Sequence, residues 1–164
     1  MKMTVRTLVP ALLLASFVSC ATSAPRSPTG ATPDVTGAFF SLSTGDVDRL
    51  AAWYSENLGF AVDRKGRTPA GVSFAILSRA GALIEILQLP TSRTREAWGL
   101  PPEPEAVRGI LKIGLLVNDL DASWAKARAR SLDVFFPPVK PPDVPQRTFG
   151  LKDPDGNIVQ LFGP

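Results

Sequence analysis

Two stretches of the chain carry the same order of apolar and polar positions. They are FFSLSTGDVDRLAAWYSENLGFAV, which begins at Phe39, and LKIGLLVNDLDASWAKARARSLDVFF, which begins at Leu111. In each, a short apolar segment precedes an aspartate, and apolar residues then recur at the spacing of one helix face. Asp46 and Asp119 stand where helix N-caps are expected, and Gly59 stands where the first helix should end. The pattern predicts a strand and then a helix in both stretches.

Further strands are predicted after each helix. In the first half they cover residues 61–64, 72–78 and 82–89, with a tight turn at residues 79–81. In the second half they cover residues 134–136, 147–152 and 158–162, with the turn Asp153-Pro154-Asp155-Gly156-Asn157 before the last strand. Each half therefore has the predicted element order βαβββ. The predicted fold is an α+β domain over residues 37–164, with modules at 37–89 and 110–162 joined by the linker 90–109.

The first 36 residues do not share this pattern. Lys2 and Arg6 precede an apolar run over residues 8–18, which is shorter than the roughly 20 residues that span a bilayer. This arrangement predicts a signal peptide over residues 1–19. Residues 20–36 are rich in Ala, Ser, Thr and Pro and predict a flexible tether. We expect an exported protein of the periplasm or cell envelope.

Cys20 is the only cysteine of the chain. Its position just after an apolar stretch resembles the lipobox of bacterial lipoproteins, which predicts lipidation of Cys20 and a membrane anchor. Phe17 departs from the aliphatic residue that is usual three positions before such a cysteine. The alternative is plain secretion, with cleavage after Ala21 or Ala24. Both alternatives take the product out of the cytoplasm.

Composition excludes several function classes. The chain contains no histidine, so Ser-His and Cys-His nucleophilic catalysis is not possible. Of the formal net charge of +3, two charges belong to the signal peptide, and no basic cluster with interleaved aromatics remains to indicate nucleic-acid binding. The turn at Asp153 does not fit a calcium loop, because Ile158 and Pro164 stand where Gly and Glu are required.

Four segments resemble the vicinal oxygen chelate superfamily of glyoxalase I, extradiol dioxygenases, and fosfomycin- and bleomycin-resistance proteins. They are GDVDRLAAWYSENLGF, ALIEILQ, NDLDASWAKARA and DPDGNIVQLF, and the resemblance covers about residues 37 to 162. It implies that the two βαβββ modules form a cupped mixed sheet. In enzymes of that superfamily the cup holds a divalent metal.

The metal-ligand positions implied by the resemblance fall on Phe39, Glu85, Lys112 and Gln160. Only Glu85 can be an anionic ligand, since Phe39 has no donor atom and the Lys112 ammonium repels a cation. We therefore expect neither a metal nor another cofactor.

Glu85 lies in the middle of the apolar strand LIEILQL. A buried unpaired charge is unfavourable, so we expect Glu85 to pair with Lys112 inside the cup, where the ammonium would replace the charge of the metal. The expected lining of the cup is Phe39, Ser41, Glu85, Leu87, Lys112, Gly114 and Gln160.

The interpretation is a metal-free protein that binds a small polar or anionic molecule in this cup. One alternative is a lyase, isomerase or dioxygenase-like enzyme with Glu85 and Lys112 as its catalytic residues. Another is a vestigial structural or interaction domain. A homodimer is an alternative to a monomer, because the modules can pair within one chain or across two. In the linker, we expect Trp98 to fill an apolar groove rather than to contact a ligand.

Overall fold

A computed structural model describes residues 37–164 except 102, 104, 105, 107 and 143. The predicted signal peptide, the tether and the lipidation site Cys20 lie outside the described residues. The described residues belong to one compact unit. None of the helices in this part of the chain is long and apolar enough to cross a membrane.

The first module contains four strands and one helix, in the predicted order. They are β1 (Phe40–Ser43), α1 (Val47–Leu58), β2 (Ala61–Arg67), β3 (Ser73–Arg79) and β4 (Ala82–Gln88). The sheet order is β1-β4-β3-β2. β1 is parallel to β4, while β3 is antiparallel to both of its neighbours. A 3-10 turn at Glu96–Trp98 lies in the linker.

The second module repeats this arrangement. Its elements are β5 (Lys112–Leu116), α2 (Leu120–Ala129), β6 (Val134–Val139), β7 (Arg147–Lys152) and β8 (Ile158–Gly163). The sheet order is β5-β8-β7-β6, with β5 parallel to β8. The predicted pair of βαβββ modules and the α+β class are confirmed.

Both helices begin at the predicted aspartates. The Asp46 carboxylate accepts hydrogen bonds from the backbone N–H groups of Asp48 and Arg49, each at 3.1 Å, and Asp119 accepts one from Ala122 at 2.8 Å. α1 ends at Gly59, whose φ of 69° lies in the left-handed region that favours glycine. Local sequence therefore sets both ends of α1 and the start of α2.

The hydrophobic core lies on the face of each sheet that its helix covers. From the first sheet it contains Ala75, Leu77, Ile84 and Ile86, and from the second it contains Phe149, Leu151, Val159 and Leu161. α1 contributes Val47, Leu50, Ala51 and Tyr54 to the same cluster. Apolar residues of both modules thus form one continuous core, which makes the two modules parts of one domain.

Two elements differ from the expected arrangement. Trp98 is 67% exposed, so the expectation that it fills a groove beneath the linker is wrong. β6 runs through Pro137 and Pro138. Proline cannot donate to a strand ladder, and β6 tolerates it because it is an edge strand.

Candidate functional site

The predicted site residues lie on the face of each sheet that points away from its helix, called here the helix-free face. Side chains alternate along a strand, so the residues between the buried core positions belong to this face. On the first sheet they include Ser41, Phe74, Ile76, Leu83, Glu85 and Leu87. On the second they include Lys112, Gly114, Thr148, Gly150, Gln160 and Phe162.

Glu85 pairs with a hydroxyl group rather than with a cation. It is the register partner of Ser41 across the parallel strands β1 and β4, and the Ser41 Oγ donates a 2.7 Å hydrogen bond to its Oε2. Glu85 is only partly buried. The premise that Glu85 is a buried charge in need of a cation was therefore wrong, because solvent and Ser41 together stabilise the carboxylate.

Lys112 does not form the expected ion pair. It is exposed and begins the edge strand β5. The ion pairs among the described residues are Arg49–Asp155, Lys65–Asp48 and Arg147–Asp121. The ammonium of Lys112 thus faces solvent. Within the described part of the chain, no hydrogen bond or ion pair links Ser41 and Glu85 with Lys112 and Gln160.

Gln160 is buried, with 5% of its surface exposed. Its Nε2 donates to the Oγ1 of Thr148 at 2.8 Å, and this hydroxyl donates to the carbonyl of Leu161 at 2.7 Å. Because the Thr148 hydroxyl has only one proton, it must accept from the amide nitrogen of Gln160. This network fixes the amide orientation and leaves the Oε1 of Gln160 without a partner among the described residues.

Two glycines flank Gln160 on the helix-free face. Gly114 is its register partner on β5, and Gly150 is its partner on β7. The space over Gly150 is filled, since an added Cβ would lie 2.5 Å from the Phe136 ring, whereas a Cβ on Gly114 would meet only the Phe162 ring, at 3.8 Å. The space over Gly114 is therefore open, whereas the space over Gly150 is filled.

The helix-free face of the first sheet is apolar around Glu85. Phe74, Ile76, Leu83 and Leu87 are all half-buried, and the guanidinium of Arg64 lies 5.6 Å from the centre of the Phe74 ring. Half-buried apolar side chains beside a few polar groups are typical of small-molecule sites.

The residues at the predicted metal positions do not fit a divalent metal. Phe39 precedes β1 and is 60% exposed, Lys112 is a cation, and Gln160 offers one neutral carbonyl oxygen. The described residues contain no group of three or more His, Cys, Asp or Glu side chains that could hold an ion. Glu85 alone supplies too few donors, because metal sites of this kind use three or more protein ligands.

Sequence reasoning missed Thr148 and Gly150. Both precede the last strand and share its helix-free face with Gln160. The alternation in RTFGLK could have identified them, because residues 148 and 150 fall on the opposite face from the apolar Phe149 and Leu151.

Solved structures of similar fold come from bacteria and from Zea mays. They include a glyoxalase family protein from Enterococcus faecalis (17% identity, TM-score 0.60, 79% of this chain and 96% of that one) and a glyoxylase/bleomycin resistance protein/dioxygenase domain from Frankia sp. EAN1pec (19%, 0.63, 81% and 93%). Another is TnmS3, an antibiotic binding protein from Streptomyces sp. CB03234 (24%, 0.58, 79% and 96%). At these identities the likeness shows the fold alone.

A search of curated proteins found no significant match. The family model described as Glyoxalase/Bleomycin resistance protein/Dioxygenase superfamily matches residues 37–161. That range contains the first module, both capped helices and all but the end of the second module, including Gln160. The chain therefore belongs to the glyoxalase/bleomycin resistance protein/dioxygenase superfamily.

Proposed function

We propose that the protein binds a small organic molecule, without a metal, on the helix-free faces of its sheets. The observation that carries this proposal is the unpartnered Oε1 of Gln160. A buried acceptor without a hydrogen bond costs about 1 to 3 kcal/mol, and we propose that a ligand donor approaches it over the neighbouring Gly114, where an added Cβ would meet only the Phe162 ring. A bound N–H or O–H group would remove that cost.

The remaining groups define the ligand further. Ser41 and Glu85 offer a carboxylate that accepts further donors, the half-buried Phe74 and Leu87 offer an apolar wall, and Lys112 offers an exposed cation. We infer an apolar or aromatic molecule that carries at least one N–H or O–H donor and an anionic group. TnmS3, a structure of similar fold, is an antibiotic binding protein, which supports this proposal.

The first test is native mass spectrometry of the protein, expressed from the full sequence with its predicted signal peptide and purified without chelator. We expect a co-purified organic mass and no stoichiometric divalent metal. A tightly held divalent metal would refute the metal-free site.

The second test uses 8-anilinonaphthalene-1-sulfonate, which combines an N–H donor, aromatic rings and an anion. Fluorescence titration should show saturable binding that Gln160→Met weakens about tenfold, since a hydrogen bond of about 1.5 kcal/mol corresponds to that factor. Arg108→Gln, an exposed cation in the linker, is the control and should bind as the wild type does. Absence of both a co-purified mass and dye binding would favour the vestigial domain.

We propose further that the chain is exported and anchored by a lipid on Cys20, and that two copies associate. The apolar run and Cys20 support the first point. The free edges of β1 and β5, with Ile110 91% and Leu116 84% exposed, support the second. Mass spectrometry of the mature N-terminus tests lipidation, with Cys20→Ala as the control. The native mass spectrum described above tests whether two copies associate.

A further inference from the structure

A cleft lies on the helix-covered side of the first sheet, at the end where α1 begins. Its volume is about 380 Å³, and it is lined by Gly45, Arg67, Gly71, Ser73, Gln88, Leu89, Pro90 and Ser92. These residues come from the ends of β2 and β4, the turn between β2 and β3, the start of β3, the connection before α1 and the segment after β4. None of them belongs to the helix-free face, so this cleft is separate from the site of the proposed function.

Three polar side chains stand in a row across the floor of the cleft. Arg67 is the register partner of Ser73, and Ser73 is the partner of Gln88. Directly opposed residues on neighbouring strands have their Cβ atoms about 5 Å apart. The guanidinium, hydroxyl and amide groups can therefore approach one small ligand together.

The guanidinium of Arg67 is held in place by the turn between β2 and β3. Its Nε donates to the carbonyl of Gly71 at 2.9 Å. The turn itself is closed by hydrogen bonds from the N–H of Gly71 to the Thr68 carbonyl and from the N–H of Val72 to the Thr68 hydroxyl. Within the part of the chain that the structure describes, neither Nη atom has a protein acceptor and Arg67 forms no ion pair. Two fixed nitrogens thus remain available for a ligand.

The cleft carries one positive charge and no negative charge in its lining. Asp46, which follows Gly45, uses its carboxylate to cap α1, and Asp48 pairs with Lys65. Among the described residues, the side chains of Ser73, Gln88 and Ser92 have no hydrogen-bond partners in the protein. A polar cleft with one unpaired cation and several free donors has the charge pattern of an anion site.

We propose that this cleft binds a small organic carboxylate. The planar fork of an arginine matches the two oxygens of a carboxylate, and Ser73 and Gln88 supply further donors beside it. Leu89, which is 37% exposed, and Pro90 give one wall an apolar surface for the carbon skeleton. A phosphate, which carries more charge and no carbon skeleton, fits a single arginine and an apolar wall less well.

The test is an NMR titration of the isotope-labelled full chain with benzoate, and separately with inorganic phosphate at matched ionic strength. We expect benzoate to shift the amide signals of Ser73, Gln88 and Gly71 and to bind with a Kd that Arg67→Gln raises about tenfold or more. Arg67→Lys keeps the charge but not the fork and should raise the Kd by less. Arg108→Gln is the control and should leave the Kd unchanged.

Three results would overturn the proposal. The first is an unchanged Kd in Arg67→Gln with a native spectrum, and the second is benzoate shifts confined to Glu85, Gly114 and Gln160. The third is phosphate binding as tight as benzoate binding, which would refute the assignment to carboxylates. Failure here leaves dye binding at Gln160 unaffected, so the two sites are tested independently.

Discussion

The phenol of Tyr54 in the first module donates a 3.1 Å hydrogen bond to the Oδ2 of Asp153 in the second. Both side chains are buried. The Oδ1 of Asp153 accepts the N–H groups of Asp155 and Asn157 at 3.0 and 2.9 Å, and the Asn157 amide donates to Oδ2 at 2.8 Å. Asp153 therefore shapes the turn between β7 and β8 and also ties that turn to α1. This contact thus links α1 to the turn that precedes the strand carrying Gln160.

Tyr54→Phe is expected to lower the free energy of unfolding by about 1.5 to 3 kcal/mol, because hydrogen bonds to charged groups fall in that range. The ring remains, so packing against Trp53 and Phe60 should survive. Urea denaturation of the wild type, Tyr54→Phe, Asp153→Ala and the double variant measures the effect, because alanine leaves no group that can bond the phenol. If the Tyr54→Phe loss is equally large in the Asp153→Ala background, the direct contact is not its cause.

Asp153 should also make stability depend on pH. Burial raises the pKa of its carboxyl above the ordinary 3.8, although hydrogen bonds from Asn157, Asp155 and Tyr54 oppose the shift. The folded state then holds its proton more tightly than the unfolded state does. The resulting stabilisation is complete below pH 3.8 and is lost as pH rises through the folded pKa.

Asp153→Asn removes this titration and serves as the reference. Between about pH 3 and pH 7, which brackets ordinary and raised carboxyl pKa values, the stability of the wild type relative to this variant should fall. Urea midpoints at several pH values measure the difference. A relative stability that rises with pH would mean that the four hydrogen bonds outweigh burial and lower the pKa.

Local features of the fold were predictable from the sequence. Asp46, Asp119 and Gly59 act through bonds to neighbouring residues, and the turn at Ala80 and Gly81 uses two consecutive positive φ angles of 47° and 84° that suit a hairpin connection. The ends of the strands were less predictable. β2 was predicted to end at residue 64 but continues to Arg67. Its end is set by cross-strand pairing of Arg67 with Ser73 rather than by local residue preference.

The contacts of the candidate site were harder to predict because they join distant parts of the chain. Alternation placed Glu85 and Ser41 on one face, but their pairing depends on the register of β1 against β4, across 44 residues. The Thr148 hydroxyl donates its single proton to the Leu161 carbonyl and accepts from the Gln160 Nε2. The Oε1 of Gln160 is therefore left without a partner among the described residues. The 67% exposure of Trp98 depends on what the linker packs against, which no periodicity in that segment encodes.

A pair of double-mutant cycles distinguishes the observed contact of Glu85 from the expected one. Glu85→Gln and Lys112→Gln should add within about 0.5 kcal/mol, as independent sites do, because Lys112 faces solvent. Glu85→Gln and Ser41→Ala should couple by more than that, since the 2.7 Å bond joins them. A coupling of about 3 kcal/mol or more between Glu85 and Lys112 would be typical of a buried pair. If that coupling appeared only at high protein concentration, the two residues would meet across two copies.

The two glycines beside Gln160 provide a test of packing and of the site together. Gly150→Ala should lower the free energy of unfolding by about 1 to 3 kcal/mol, the usual cost of overpacking, because the new Cβ would lie 2.5 Å from the Phe136 ring. Gly114→Ala should change stability by less than about 1 kcal/mol, since its Cβ meets only the Phe162 ring at 3.8 Å and Ala suits a strand at least as well as Gly. That same Cβ would occupy the space through which the proposed ligand approaches the Gln160 carbonyl, so Gly114→Ala should weaken dye binding severalfold while the fold is retained. Thermal unfolding and dye titration of both variants give the result. If Gly114→Ala binds the dye as the wild type does, the ligand does not approach Gln160 over β5.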